Sequence, residues 1–229
     1  MTKKRLDHIV LERYPQYSRT QVQIITKPGT LVNDTSHIII DIEEPKYVCR
    51  AGWKLEKALD QFEVDITNLV ILDAGLSTGG FTDCLLQRGA KKVYGVDVGY
   101  GQVHEKIRRD PRVVVMERTN LRYLEQLPEK VDLVTLDLSF ISILKVMTVV
   151  ANILKESGKL ITLIKPQFEA QRSEILKGGI VKDPKVHESV IKNITEGIKK
   201  YGFELQGIIE SPILGSEGNK EFLAYFKRI

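Results

Sequence analysis

At 229 residues the chain has room for one sizeable domain plus a small appendage. A composition of 42% apolar and 28% charged residues excludes a disordered or collagen-like chain, and a formal charge of +4 permits a polyanionic partner without demanding one. Two cysteines, Cys49 and Cys84, and four scattered histidines match no metal or disulfide spacing, which implies no zinc site and a reducing compartment. Lys3, Lys4 and Arg5 have no apolar run behind them, and no stretch approaches the roughly 18 apolar residues of a membrane span. The expectation is a soluble, cytoplasmic protein without a membrane or metal partner.

Residues 5 to 24 predict two short helices, the first carrying Leu6, Ile9, Val10 and Leu11, the second capped by Ser18 and running through Val22 and Ile24. Lys27-Pro28-Gly29 signals a turn, and Ile38, Ile40 and Ile42 alternate as in a strand. Glu43-Glu44-Pro45 reads as a linker, dividing the chain into an N-terminal region, 1–48, and a main domain, 49–229. From Ala51 the pattern is helical, with Trp53, Leu55, Ala58, Leu59 and Phe62 as the apolar face and Lys54 just off it. Strands are expected at 69–73, 92–97, 112–116, 131–137, 159–165, 205–210 and 221–227. Helices are expected at 80–89, 141–155 and 185–200, with a long polar loop around Gly178-Gly179. Strands alternating with helices predict a mostly parallel, doubly wound α/β sheet of seven strands.

Chemistry concentrates where Leu69-Val70-Ile71-Leu72 delivers Asp73 into a turn holding Gly75, Ser77, Thr78, Gly79, Gly80 and Phe81, directly before a helix. Such a junction offers backbone N–H groups and the positive end of a helix to a nucleotide-like ligand, although a glycine-rich turn by itself is also a common strand-to-helix connection. Asp97 ends the next strand about 20 residues on, where an acid bonds ribose hydroxyls. The spacing Gly75-x-x-x-Gly79-Gly80 is not the pyrophosphate fingerprint, which narrows the ligand toward S-adenosylmethionine, an adenosine without phosphate. Asp73 is placed to hold the loop or the ligand's ammonium group, or serves simply as a cap. Glu117 and Asn120, after the third strand, lie where an adenine would sit or form an exposed turn.

The stretches Cys49 to Leu55, Asp73 to Asp83, Asp137-Leu138-Ser139-Phe140, Lys165-Pro166-Gln167-Phe168-Glu169 and Gly178 to Pro184 resemble the motifs of the TlyA, or hemolysin A, family of FtsJ-like RNA ribose 2′-O-methyltransferases. The resemblance spans residues 46 to 229, with five motifs in order. It implies a Rossmann-like methyltransferase fold, S-adenosylmethionine as cofactor, and ribosomal RNA as partner, free or in ribosomal subunits, with cytidine as the methylated nucleotide. It also implies a catalytic set of Lys54, Asp137, Lys165 and Glu221, with Asp137 touching the cofactor as well and Glu217 the competitor for the last position. A ribose hydroxyl must be aligned with the electrophilic methyl and lose its proton as the bond forms. Lys165 is the candidate for that contact, and a second cation nearby favours a lysine's neutral form. No metal is required, because the sulfonium supplies the leaving group.

Arg172, Lys177 and Lys182, with Lys185, make the long loop beside Lys165 basic and suited to RNA phosphates, although a solvated surface loop has the same composition. Arg5 and Arg19 fall in stretches that resemble the first two helices of the family's small N-terminal RNA-binding domain. Here Gln23-Ile24-Ile25-Thr26 runs straight into Lys27-Pro28-Gly29, so one to two elements of that domain are expected to be missing. Competing expectations are a non-catalytic RNA-binding or ribosome-assembly factor that keeps the cofactor pocket, and a membrane-active hemolysin. None of these patterns fixes an oligomeric state.

Overall fold

The computed structural model describes residues 3–14, 22, 30–33, 45–215 and 217–229. Near the N-terminus β1 (Lys3–Arg5) pairs antiparallel with β2 (Leu31–Asn33), and α1 (Leu6–Arg13) lies between them in sequence, burying Ile9 and Val10. The two strands carry no alternation a sequence pattern could register, three residues being too few. Of the second expected helix Val22 is described, helical and fully buried. The Lys27-Pro28-Gly29 turn and the strand over 38–42 lie outside the described residues.

The main domain continues with α2 (Ala51–Gln61), β3 (Val70–Ala74), α3 (Gly80–Gln87), β4 (Lys92–Val96), α4 (Glu105–Arg109), β5 (Val113–Met116) and β6 (Val131–Leu136). Then come α5 (Met147–Ile153), β7 (Leu154–Ile164), α6 (Pro166–Glu169), α7 (Pro184–Lys199), β8 (Phe203–Glu210) and β9 (Phe222–Arg228). The seven strands run in the order β5-β4-β3-β6-β7-β9-β8, parallel except where β9 pairs antiparallel with β7 and β8. This is the Rossmann-like methyltransferase arrangement that the resemblance implied.

Alternation along the central strands divides the core into two layers. Ile71, Leu133 and Ile161 face α2 and α3 with Leu55, Leu59 and Leu85. Leu72, Val134 and Leu160 face the opposite side with Met147, Val190 and Ile194. Period-two side-chain placement on a sheet covered on both faces requires unbroken apolar runs such as these. The strand order reverses at β3, beside β4 and β6, and opens a crevice at the carboxyl ends of these strands.

Two expectations need correction. The helix over 141–155 is broken into a short 3-10 turn (Ile143–Lys145) and α5, because Leu154 already pairs with Val131 and begins β7. Leu154 tucks against Gly158, where a Cβ would stand 2.3 Å from its side chain, and the ladder shifts register before Lys159. On α2, Trp53 is 45% exposed while Lys54 and Glu56 are buried. Each buried charge has partners: Glu56 meets the Lys46 ammonium, the Tyr47 hydroxyl at 2.9 Å and Arg88 at 3.2 Å. Burial pushes the Glu56 carboxyl upward, but these three donors outweigh it and hold it below the usual range.

Candidate active site

The glycine-rich turn is shaped by backbone contact. Gly75 has φ +88°, and a Cβ there would lie 2.3 Å from the Asp137 carbonyl oxygen. A side chain would therefore force apart the ends of β3 and β6, which are joined by the Asp137 N–H donating to Ala74 O at 2.9 Å. Beyond it, Gly75 N and Leu76 N both donate to Val96 O, and Gly79, at φ +99°, opens α3. Asp97 closes the turn from β4, accepting from Ser77 N on one oxygen and Gly99 N on the other, each at 2.7 Å.

Asp73 sits beneath this turn with no exposure. Its oxygens accept from the Thr82 hydroxyl at 2.6 Å and the Thr135 hydroxyl at 2.8 Å. Burial raises its pKa to about 6, against the two hydroxyl bonds that favour the anion, with Asp137 adding repulsion. Asp73 thus ties β3, β6 and α3 together below the loop.

A cavity of about 790 Å³ opens above, over the C-terminal ends of β3, β4 and β6. Of the predicted cofactor residues, Gly75, Ser77, Asp97, Asn120 and Asp137 line it. Thr78, Gly79, Gly80 and Phe81 do not; Gly80 packs against Cys49, and Phe81 is 3% exposed in the core. Glu117 turns away, its carboxylate accepting from Gly101 N at 2.6 Å and Arg108 at 2.9 Å. Sequence reasoning missed Val98, Gly99, Gln102 and Arg122, which line the cavity without a diagnostic residue type. Their position just beyond β4 and β5 was the available signal. Ser139, Phe140 and Phe168, inside the motifs already singled out, line it too.

The four residues of the expected catalytic set come together as two ion pairs. Lys54 Nζ lies 2.5 Å from Glu221 Oε2, both side chains under a tenth exposed. Lys165, at the junction of β7 and α6, has its Nζ 2.7 Å from Asp137 Oδ1 and donates to Ser139 Oγ at 2.9 Å. The approach to Asp137 is not along a hydrogen-bonding direction, so the buried Oδ1 is charge-compensated yet lacks an aligned donor. Because β7 and β9 pair at Ile164 and Phe222, Lys165 and Glu221 are the next residues out at adjoining strand ends. Glu217, in contrast, is exposed.

Arg172, Lys177 and Lys182 are exposed along the loop from α6 to α7, and Lys185 is exposed in the first turn of α7. Arg5 is held by Asp7 through two side-chain bonds of 3.0 and 2.7 Å. Arg19 lies outside the described residues. Among the described residues no three His, Cys, Asp or Glu side chains form a group able to hold a metal ion, and no helix is long and apolar enough to cross a membrane.

The model of the FtsJ-like methyltransferase family matches residues 47–228. The chain belongs to the FtsJ-like methyltransferase family. Among relatives of this FtsJ-like protein, YqxC of Bacillus subtilis, described as a candidate rRNA methyltransferase, is 40% identical over 97% of the chain and 85% of its own length. The 16S/23S rRNA (cytidine-2′-O)-methyltransferase TlyA of Mycobacterium tuberculosis is 39% identical over 88% of this chain and 76% of its own. A solved structure of a hemolysin candidate from Streptococcus thermophilus superposes with a TM-score of 0.80 at 38% identity, covering 100% of this chain and 89% of the other.

Proposed function

We infer that this FtsJ-like protein is an S-adenosylmethionine-dependent rRNA (cytidine-2′-O)-methyltransferase. The observation that carries the reading is the pairing of Lys165 with Asp137 at the rim of the cofactor-sized cavity, with the Lys54–Glu221 pair one strand away. Family membership supplies the reaction class, and the named relatives supply rRNA as the substrate and cytidine as the methylated nucleotide.

The residues present fit the cofactor. Gly75 lets backbone approach closely where a Cβ could not stand, Asp97 offers a carboxylate at the β4 end, and Asp137 Oδ1 is a buried acceptor without an aligned donor. A cavity lined by Val98 and Leu121 beside Asn120 suits an adenine with an apolar face and a polar edge. Bound S-adenosylmethionine supplies an electrophilic methyl group and a neutral thioether leaving group.

The chain's own residues align the acceptor. Asp137 and Ser139 fix the Lys165 ammonium, which contacts the ribose 2′-oxygen and sets its direction of approach. As an ammonium Lys165 only donates to that oxygen, so the hydroxyl proton passes to the open lone pair of Asp137 Oδ1 as the C–O bond forms and the C–S bond breaks. Lys54, clamped by Glu221, adds a second buried positive charge that steadies the developing alkoxide. We place the activity in the cytoplasm, on ribosomal subunits or their RNA. The exposed cations Arg172, Lys177 and Lys182 suit phosphate contacts there, and Arg5 and Arg19, from the N-terminal sequence, suit a second set.

The test is transfer of labelled methyl groups to ribosomal subunits and to naked rRNA, followed by nucleoside analysis. Label recovered as 2′-O-methylcytidine is expected. No incorporation on any ribosomal substrate, or unchanged activity in Lys165→Ala, overturns the reading.

A further inference from the structure

Asn219 is a buried polar side chain that the chemistry described so far does not use. Asn219 is 1% exposed and lies two residues before Glu221. Its Oδ1 accepts from Val181 N at 2.9 Å, and its Nδ2 donates to Gly179 O at 2.9 Å. The two partners fix the amide's orientation, since a flipped amide would set two donors, and two acceptors, face to face. Val181 is held from its other side as well: its carbonyl is 3.0 Å from His187 Nε2, on a ring that is itself buried and packed T-shaped with Phe222.

Thus a single backbone residue, 2% exposed, is held through N–H and C=O by buried side chains from two separate elements. The neighbouring tip is built differently. Leu176 and Ile180 form an isolated bridge across Gly178 and Gly179, at φ +90° and +78°, where an added Cβ would meet nothing within 4 Å. The loop has a fixed root and an open tip, with Arg172, Lys177 and Lys182 distributed along it.

We propose that Asn219 is a positioning residue for substrate: by tying Gly179 and Val181 to the chain that delivers Glu221, it sets the place of the basic loop relative to Lys165 and Lys54, and so governs RNA affinity rather than the methyl-transfer step. This rests on the RNA methyltransferase reading above. Glu221 does not depend on the Asn219 amide for its own placement. Its carbonyl accepts from Ser211 N at 2.8 Å, and Gly215 N donates to the backbone oxygen of Asn219 at 2.9 Å, bonds that survive loss of the side chain. Neither Asn219, Gly179 nor Val181 lines the cofactor cavity.

The test compares wild type, Asn219→Ala and Asn219→Asp, the last keeping the acceptor for Val181 N while losing the donor to Gly179 O. For Asn219→Ala, KM for rRNA rises about tenfold while kcat and cofactor affinity stay within about twofold. Hydrogen exchange of the free protein quickens at 179–181 and not in β3 or β6. Asn219→Asp, which sets an acceptor against Gly179 O, is expected to match or exceed alanine in both measurements. Equal KM values, or a fall in kcat with unchanged KM, overturn the proposal. So does exchange that accelerates throughout the sheet, the sign of a merely structural loss. The hydrogen-exchange arm requires no turnover, so a wild type inactive on every RNA would sink the methyltransferase reading and the RNA-affinity role resting on it, whereas an active wild type with an indifferent Asn219→Ala would sink this proposal alone.

Discussion

Lys54 and Glu221 are 167 residues apart in the chain and meet at 2.5 Å, with side-chain exposures of 8% and 3%. Removing one partner of so buried a pair strands the other charge, at a cost of about 3–5 kcal/mol. Glu221→Gln is therefore expected to lower thermal stability and to reduce methyl transfer by at least about a hundredfold, since the Lys54 ammonium loses the group that holds it. Glu217→Gln, at an exposed position, is expected to leave both unchanged. Paired melting curves and labelled-methyl assays check the contrast; equal effects of the two substitutions would assign the role wrongly.

The strands and the glycine-rich turn were legible because their signals are local: Val70-Ile71-Leu72 is a run buried on both faces, and Gly75 must avoid Asp137. The burial of Lys54 was not legible locally. A helical pattern assigns a lysine beside Trp53 to solvent, and only the folded register of β7 and β9 brings Glu221 to it. Likewise, residues 141–155 read as one helix, and what ends it early is the pairing of Leu154 with Val131, a contact no window of sequence contains. The resemblance to a family supplied Lys54, Asp137, Lys165 and Glu221 as a group, whereas Ser139 as a hydrogen-bond partner of Lys165 needed the fold.

Asp73 gives a pH dependence with a definite sign. Its pKa is raised from 3.8 to about 6, so the folded state holds the proton more tightly than the unfolded chain does. The contribution is fully present below pH 3.8 and is lost as pH rises through 6, a swing of about 3 kcal/mol. Asp73→Asn keeps the shape and lets the Thr82 and Thr135 hydroxyls reorient, so its stability curve should lack this fall. Urea midpoints for both proteins between pH 4 and 7 measure it, and parallel curves would refute the assignment.

Gly75 is a position where a single added methyl group is expected to weaken cofactor binding. Gly75→Ala combines φ +88° with a Cβ 2.3 Å from Asp137 O, and that carbonyl belongs to backbone anchored on Ala74. The strain of such a backbone, on the order of 1–3 kcal/mol before the clash, is relieved only if the β3 and β6 ends separate. Calorimetric titration with S-adenosylmethionine should show affinity lost by more than about tenfold, while Gly101→Ala, whose Cβ would meet nothing, binds within about twofold. Undiminished binding by Gly75→Ala would place the cofactor elsewhere.

Phe140 contributes nothing to the core and yet is held in a strained conformation. Its side chain is 91% exposed at the cavity rim, its φ is +63°, and its ring centroid stands 4.9 Å from that of Phe168, two residues past Pro166. A large apolar residue kept in the left-handed region and in water costs stability, so a compensating use lies outside the folded chain. Phe168 stands beside Lys165, whose Nζ is 6.0 Å from its centroid, and Phe140 packs on Phe168, so the pair of rings is placed to meet the base of a ribose presented to that lysine. Stacking of a base on an aromatic ring is worth about 1–3 kcal/mol, which predicts that Phe140→Ala raises KM for rRNA roughly five- to hundredfold. The melting temperature should hold or rise slightly, because the exposed ring buries little and the backbone strain persists or eases. A variant that instead melts early with unchanged KM would show that Phe140 serves the fold and not the RNA.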